Sequence, residues 1–268
     1  MNDLIYLSVA AETARAAGRV LETMYATEVV VNLKGGNDLD LVTAADLAAD
    51  QLIRERLADA FPEHAVVTEE TSLPETTIDP DVPTWIIDPL DGTSNFARGL
   101  PLFSVSIALR DAQGARAGVV YDPLRDHLFA ARPGGGATLN GRPLQARREP
   151  SLRRCIVACD WARPPQLRAA SARVFTEFIT LAHVARSLGS AALAFSYVAA
   201  GWLDVYYNLN LYPWDVAAGE LIVREAGGRV TELDGGPWTI ASPRALVSNG
   251  PVHEAAVAVL NRQLKVEL

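Results

Sequence analysis

The chain of 268 residues predicts a mixed α/β protein, on three observations. Apolar residues recur at helical spacing through residues 3–26. Short apolar runs bounded by turn residues follow one another between residues 65 and 131. From residue 151 onward, strand-like and helix-like segments alternate. Composition agrees: 49% apolar and 21% charged residues describe a packed globular chain and exclude a disordered, collagen-like or low-complexity one. Lys plus Arg is 24 and Asp plus Glu is 32, a net charge of −8. Such a field does not favour anionic membranes or nucleic acid polymers. A phosphorylated ligand would need a local device, a metal cation or a helix N-terminus.

The elements follow in order. Leu4, Leu7, Ala11, Ala14, Val20, Leu21 and Met24 mark one face of a first helix. Residues 34–40 are polar and Gly-rich, a loop or hairpin. Thr43 is the N-cap of a second helix ending near Phe61-Pro62, with Asp46 completing a capping box. Ala65-Val66-Val67 is a short strand that stops at Glu69-Glu70. Residues 71–83, rich in Thr, Pro and Asp, form an exposed excursion. Trp85-Ile86-Ile87 is a buried strand that runs into Asp88-Pro89-Leu90-Asp91-Gly92-Thr93. Strands are expected at 103–109, 117–121 and 127–131. The Gly134–Gly136 run lacks the Lys-Ser/Thr and the following helix of a phosphate loop, so it reads as a hairpin connection.

In the second half, a strand is expected at 154–159, a helix from Gly189, a strand at 203–207, a helix at 215–226, strands at 229–232 and 245–248, and a last helix from Val252. Cys155 and Cys159 on one strand would stand about 13 Å apart, too far for a disulfide, so both are expected reduced and buried. Asp3 stands where a secretory signal would be basic, and no run reaches the roughly 20 apolar residues of a membrane span. The expected setting is cytoplasmic, with no membrane contact.

The chemistry concentrates between Trp85 and Phe96. Asp88 and Asp91 crowd the carboxyl end of a buried strand, where α/β sheets bind their ligands. Two carboxylates there repel each other unless a cation neutralises them. Oxygen-only ligands suit Mg2+, Ca2+ or Mn2+ rather than zinc. Pro89 fixes φ between them, and Gly92-Thr93-Ser94 offers successive backbone N–H groups to an anion. Metals beside a phosphate cradle make phosphoryl-transfer architecture. Alternatively, Asp88 caps a turn and Asp91 fills a type I turn with Gly92. An aspartyl-phosphate nucleophile would need Asp-x-Asp near the first strand, whereas Asp88 and Asp91 are spaced Asp-x-x-Asp in the middle of the chain. None of the four histidines falls in a motif, so zinc and triad chemistry are not expected.

Five segments together carry a resemblance over nearly the whole chain: Asp40-Leu41-Val42-Thr43-Ala44-Ala45-Asp46, Glu69-Glu70, Trp85 through Phe96, Gly189-Ser190-Ala191-Ala192 and Trp214-Asp215-Val216-Ala217-Ala218-Gly219. The chain resembles the inositol monophosphatase family of metal-dependent, lithium-sensitive phosphatases. The resemblance implies a layered αβαβα sugar-phosphatase sandwich. Its N-terminal α+β half (1–150) would carry most of the metal ligands and its C-terminal α/β half (151–268) the substrate contacts and Asp215, packed as one unit.

The resemblance also implies roles. Glu69, Asp88 and the Leu90 carbonyl would hold a first Mg2+. Asp88 would bridge to a second, also held by Asp91 and Asp215. Two or three Mg2+ ions are implied, with Mn2+ as a substitute and Ca2+ or Li+ as inhibitors. Glu69 and a Thr93–Asp46 pair would activate a water that attacks phosphorus in line. The phosphate would rest on Gly92, Thr93 and Ser94. Asp91, Gly189, Ser190, Ala191 and Asn208 would contact the rest of a small phosphorylated metabolite. Lys34 matches a basic position near the site, shifted by one residue. A homodimer is implied.

Three departures bear on the substrate. Thr68 stands where a glycine is usual. Asn208 stands where inositol-preferring members carry an acid. Cys159-Asp160-Trp161-Ala162-Arg163-Pro164 is not the usual specificity loop. Inositol monophosphate or a related sugar phosphate, histidinol phosphate, and a nucleotide 3′-phosphate or bisphosphate therefore all stay open. A non-enzymatic alternative is a regulatory protein that binds the transcription machinery, as some bacterial relatives do.

Overall fold

A computed structural model describes residues 3–25, 31–33, 41–72 and 78–264 of the chain. The first half contains α1 (Asp3–Tyr25), β1 (Val31–Leu33), β2 (Leu41–Thr43), α2 (Ala44–Ala60), β3 (Ala65–Thr68), β4 (Thr84–Asp91), α3 (Thr93–Ala97), β5 (Ser104–Asp111), β6 (Gly114–Asp122), β7 (His127–Ala131), β8 (Ala137–Leu139) and β9 (Arg142–Pro143). The second contains β10 (Ile156–Cys159), α4 (Pro165–Leu181), β11 (Val184–Arg186), α5 (Ala191–Ala199), β12 (Val205–Asn208), α6 (Pro213–Glu225), β13 (Arg229–Thr231), β14 (Ala245–Ser248) and α7 (His253–Leu264).

Beside the two-stranded antiparallel pair β1–β2, two larger sheets organise these elements. The larger has the order β3-β4-β5-β6-β7-β8-β9, antiparallel except for the β3–β4 pair. The smaller has the order β11-β10-β12-β14-β13, with the first three strands parallel. Strand alternation sorts the side chains into three packed interfaces. Trp85, Ile87, Val105, Ile107 and Val119 pack under α1 and α2. Ile86, Ala108 and Val120 face the other way, onto α5 and α6, which also cover Ala158, Tyr206 and Val247 of the smaller sheet. The far face of that sheet, Val157, Cys159, Val205 and Tyr207, packs against α4 and α7. The layers therefore run α, β, α, β, α, as the resemblance implies.

Three local readings change. The buried stripe of α1 is Tyr6, Ala10, Ala14, Ala17 and Leu21, while Leu4 is exposed. Small alanines let the helix lie close on β6, so packing selects them over the larger side chains. Strand β4 continues through Pro89 to Asp91, with a register shift between Asp88 and Asp91. Proline has no N–H for the ladder, so the chain bulges there and resumes. Residues 165–181 form a helix that the sequence reading passed over, opened by Pro165 and buried through Ala170, Ser171, Val174 and Phe178. The Gly134–Gly136 turn does join β7 to β8, and its Gly134 and Gly136 N–H groups donate to the Glu225 carboxylate at 2.9 and 2.8 Å. This anion nest is filled by the protein's own side chain. Both cysteines are buried and free, as expected.

His253 opens α7 fully buried, its Nδ1 2.8 Å from Ser248 Oγ and its Nε2 3.0 Å from Thr231 Oγ1. Burial, helped by Arg229, pulls its pKa down to about 4. The unfolded chain, with an ordinary histidine, takes up the proton first as pH falls through about 6.5. Stability from this group is thus full above that pH and lost on the way down to about 4. Between pH 7.5 and pH 5 the loss should be about 2 kcal/mol. Urea titrations of the parent and of His253→Gln check this: the parent's advantage should shrink by that amount at pH 5, and a constant gap would contradict it.

Candidate active site

The end of β3, the end of β4, the start of α3, the loop before α5 and the start of α6 meet at one polar cavity. Glu69, Asp88, Leu90, Asp91, Gly92, Thr93, Ser94, Gly189 and Asp215 all line it. Residues up to 146 apart in the chain are thus brought to one wall by the two sheets and the helices between them.

Each acid is aimed locally. Thr68 ties the turn carrying Glu69: its Oγ1 accepts from Thr71 N at 3.1 Å, and its N–H donates to Ser72 Oγ at 3.1 Å. Asp88 Oδ1 accepts from Leu90 N at 3.0 Å across the bulge. Asp91 Oδ2 accepts from Ser190 Oγ and, at 2.9 Å, from Ala192 N, while its Oδ1 accepts from Ala191 N at 3.2 Å. Asp215 Oδ2 accepts from Tyr212 N at 2.8 Å. Asp46 does complete the capping box, accepting from Thr43 N at 2.8 Å. Its other oxygen, Oδ1, is 3.1 Å from the Thr93 hydroxyl, which also lies 3.1 Å from Leu90 O. Helix cap and Thr93 partner are therefore one carboxylate.

Electrostatics mark the cluster. Burial above all, then the charges of Glu69, Asp91 and Asp215, hold the Asp88 carboxyl well above the usual range. Asp215 is raised well above it too, by burial first and then by Glu69 and Asp91. Burial pushes Asp91 up to about 7 against the pull of its three donors. Asp46 is raised by burial, partly offset by Thr43. Four carboxylates, Glu69, Asp88, Asp91 and Asp215, thus crowd one enclosure, and the three aspartates are penalised for their charge. Among the described residues no three acidic, histidine or cysteine side chains close into a ready cage. The donor set is all oxygen and strongly anionic, and it fits a hard divalent cation.

Gly92 precedes α3 with φ +99°, and a Cβ there would lie 2.9 Å from Leu102 O, so only glycine lets the chain turn and present its amides. Asn95 of α3 donates to Leu102 O at 2.7 Å and Leu188 O at 2.8 Å, tying this turn to the loop before α5.

Not every expected contact reaches the cavity. Ser190 and Ala191 bind Asp91 behind the wall. Asn208 is buried, donating to Tyr206 Oη at 3.0 Å and accepting from Asn210 N at 3.0 Å, and it is absent from the cavity lining. Asn210 and Tyr212 line the cavity instead, with Trp161 and Arg163. The expectation had followed spacing along the chain, whereas the turn after β12 decides which side chain points outward. Lys34 and Asp40 lie outside the described residues.

Comparison with known proteins agrees with this fold. Residues 5–265 match the inositol monophosphatase family. The Nus factor SuhB of Salmonella typhimurium is 39% identical over 259 residues, 96% of each chain. Inositol monophosphatase 3 of Solanum lycopersicum is 37% identical over 261 residues, again 96% of each. A crystal structure of the extragenic suppressor protein SuhB from Bartonella henselae superposes with a TM-score of 0.89 at 35% identity, covering 96% of this chain and 99% of that one. The chain belongs to the inositol monophosphatase family.

Proposed function

We propose that the protein is a Mg2+-dependent phosphomonoesterase that hydrolyses a small phosphorylated metabolite by direct in-line attack of water. The observation that carries this reading is the meeting of Glu69, Asp88, Asp91 and Asp215 beside the Gly92–Thr93 turn in one cavity. Glu69, Asp88, the Leu90 carbonyl, Asp91 and Asp215 would hold Mg2+, whose charge offsets the crowded carboxylates and polarises the phosphoryl group.

The chain's own groups have separable tasks. The Gly92, Thr93 and Ser94 amides hold phosphate oxygens. Thr93 Oγ1, donating to Asp46, turns a lone pair toward the cavity and accepts a proton from the attacking water. Asp46, held above the usual carboxylate range by burial, is suited to receive it. Glu69 orients the water from the β3 side. Asp91 is fixed for its part in the ligand set by three donors at the start of α5. A cytoplasmic homodimer is the proposed form. The buried free cysteines support a reducing compartment, and no helix of the described residues is long and apolar enough to cross a membrane.

Phosphate release from a panel of phosphate monoesters tests the reading. Chelation should abolish it, Mg2+ should restore it, and millimolar Li+ should inhibit. Full activity in excess chelator would rule the mechanism out. A second reading, a regulatory protein acting on the transcription machinery, draws on the relatives named Nus factor. Absence of Mg2+-dependent release from the whole panel would favour it.

A further inference from the structure

The segment that departs from the family pattern, residues 160–163, supplies a further part of the cavity wall, with Arg163 close enough to Asp215 for their charges to interact. It alternates like a strand. Asp160 points inward: its Oδ1 accepts from Ser187 Oγ at 3.0 Å, Leu188 N at 2.9 Å and Gly189 N at 2.7 Å, and its Oδ2 accepts from Tyr206 Oη at 3.1 Å. Ala162 is buried as well. Trp161 and Arg163, between and after them, line the cavity. Trp161 is 40% exposed, yet its ring is braced edge-on by Phe175 of α4, with centroids 5.4 Å apart. Tyr212, on the same cavity, is stacked on Trp214 with centroids 5.2 Å apart. Asn210 adds a carboxamide.

This wall suits one kind of leaving group. A polyol presents hydroxyl donors and is best gripped by carboxylates. The cavity's carboxylates all belong to the proposed metal cluster, and Asn208, at the position of the missing acid, is turned inward. Two braced aromatic faces instead favour stacking on a flat ring. A carboxamide can match both donors and acceptors on a ring edge. The Arg163 guanidinium disfavours a cationic ring such as imidazolium and tolerates a neutral one.

Resting on the phosphatase reading above, we propose that Trp161, Tyr212, Asn210 and Arg163 form a subsite for a neutral heteroaromatic leaving group, so that nucleoside monophosphates are the substrate class of this site in preference to polyol phosphates.

Two measurements on the full-length protein test this. The first compares kcat/KM for adenosine 3′-monophosphate, β-glycerophosphate and myo-inositol 1-phosphate with Mg2+. The nucleotide should lead by at least about tenfold, and Trp161→Ala should lower the nucleotide-to-glycerophosphate ratio by at least about tenfold, while Trp161→Phe should keep most of it. The ratio cancels any loss of folded enzyme, since both substrates share the phosphate chemistry. The second measures adenosine binding in chelator by NMR titration, where Trp161→Ala should weaken binding by a similar factor. An unchanged ratio, a preference for inositol phosphate, or adenosine binding that is absent or indifferent to Trp161 would overturn the subsite. Trp161-dependent adenosine binding without turnover of any ester would uphold the subsite and overturn the phosphatase reading instead.

Discussion

Asp215→Asn should lower kcat by about three orders of magnitude or more, on the order of 4 kcal/mol of transition-state stabilisation, at saturating Mg2+. Asparagine keeps an acceptor for Tyr212 N, so the start of α6 stands and only the charge is removed. The stability effect has the opposite sign. Asp215 is buried beside Glu69 and Asp91, and its folded pKa lies well above the unfolded one. The folded chain therefore holds this proton more tightly, and parent stability falls as pH rises through the folded value. In chelator, the variant should be as stable as the parent at low pH and more stable at pH 8. Mg2+ should raise the melting temperature of the parent and hardly that of the variant. Near-normal kcat would remove Asp215 from the ligand set. Asp91→Asn should be equally inactive, since it too removes a charge from the proposed ligand set.

Gly118→Val should cost about 3 kcal/mol or more. Gly118 sits in β6 where α6 crosses the sheet, and a Cβ there would lie 2.8 Å from Ala218 O and 3.1 Å from Ala218 Cα. These are backbone atoms of a buried helix, so no side-chain rotation relieves the clash. The helix must lift from the sheet, exposing the core that Val120, Ala217 and Ile222 share. It also carries Asp215 on its first turn, so activity should fall together with stability. Differential scanning calorimetry should show a melting temperature lower by roughly 10 °C, with Gly118→Ala in between. A shift under about 2 °C would mean that the contact yields more easily than its geometry says.

What the sequence showed and hid follows from range. Thr43 and Asp46 are three residues apart, and their capping box is legible because all its bonds are local. The acids at the end of β4 are legible because strand, bulge and turn occupy one continuous motif. By contrast, α4 escaped the reading although Leu167, Ala170, Val174 and Phe178 are spaced for a helix. Alanine and serine dilute its apolar face, and it opens at Pro164-Pro165, which reads as a turn. The inward turn of Asn208 also escaped, because it depends on Tyr206 Oη and on the loop after β12. The outward places of Trp161 and Arg163 depend on Asp160 being held by residues 187–189, a contact no local pattern records.

Asp46 and Asp215 share one arrangement: each accepts, at 2.8 Å, from the backbone N–H three residues earlier, at the residue preceding its helix. The direction of each carboxylate is therefore set as soon as its helix forms. Only their meeting requires the sheets to dock. Folding then assembles this site from parts already oriented, and the slow, long-range steps bring the acids together without having to aim them. Alanine at either position would lose a helix cap and a charge at once, so asparagine is the variant that separates the chemistry from the fold.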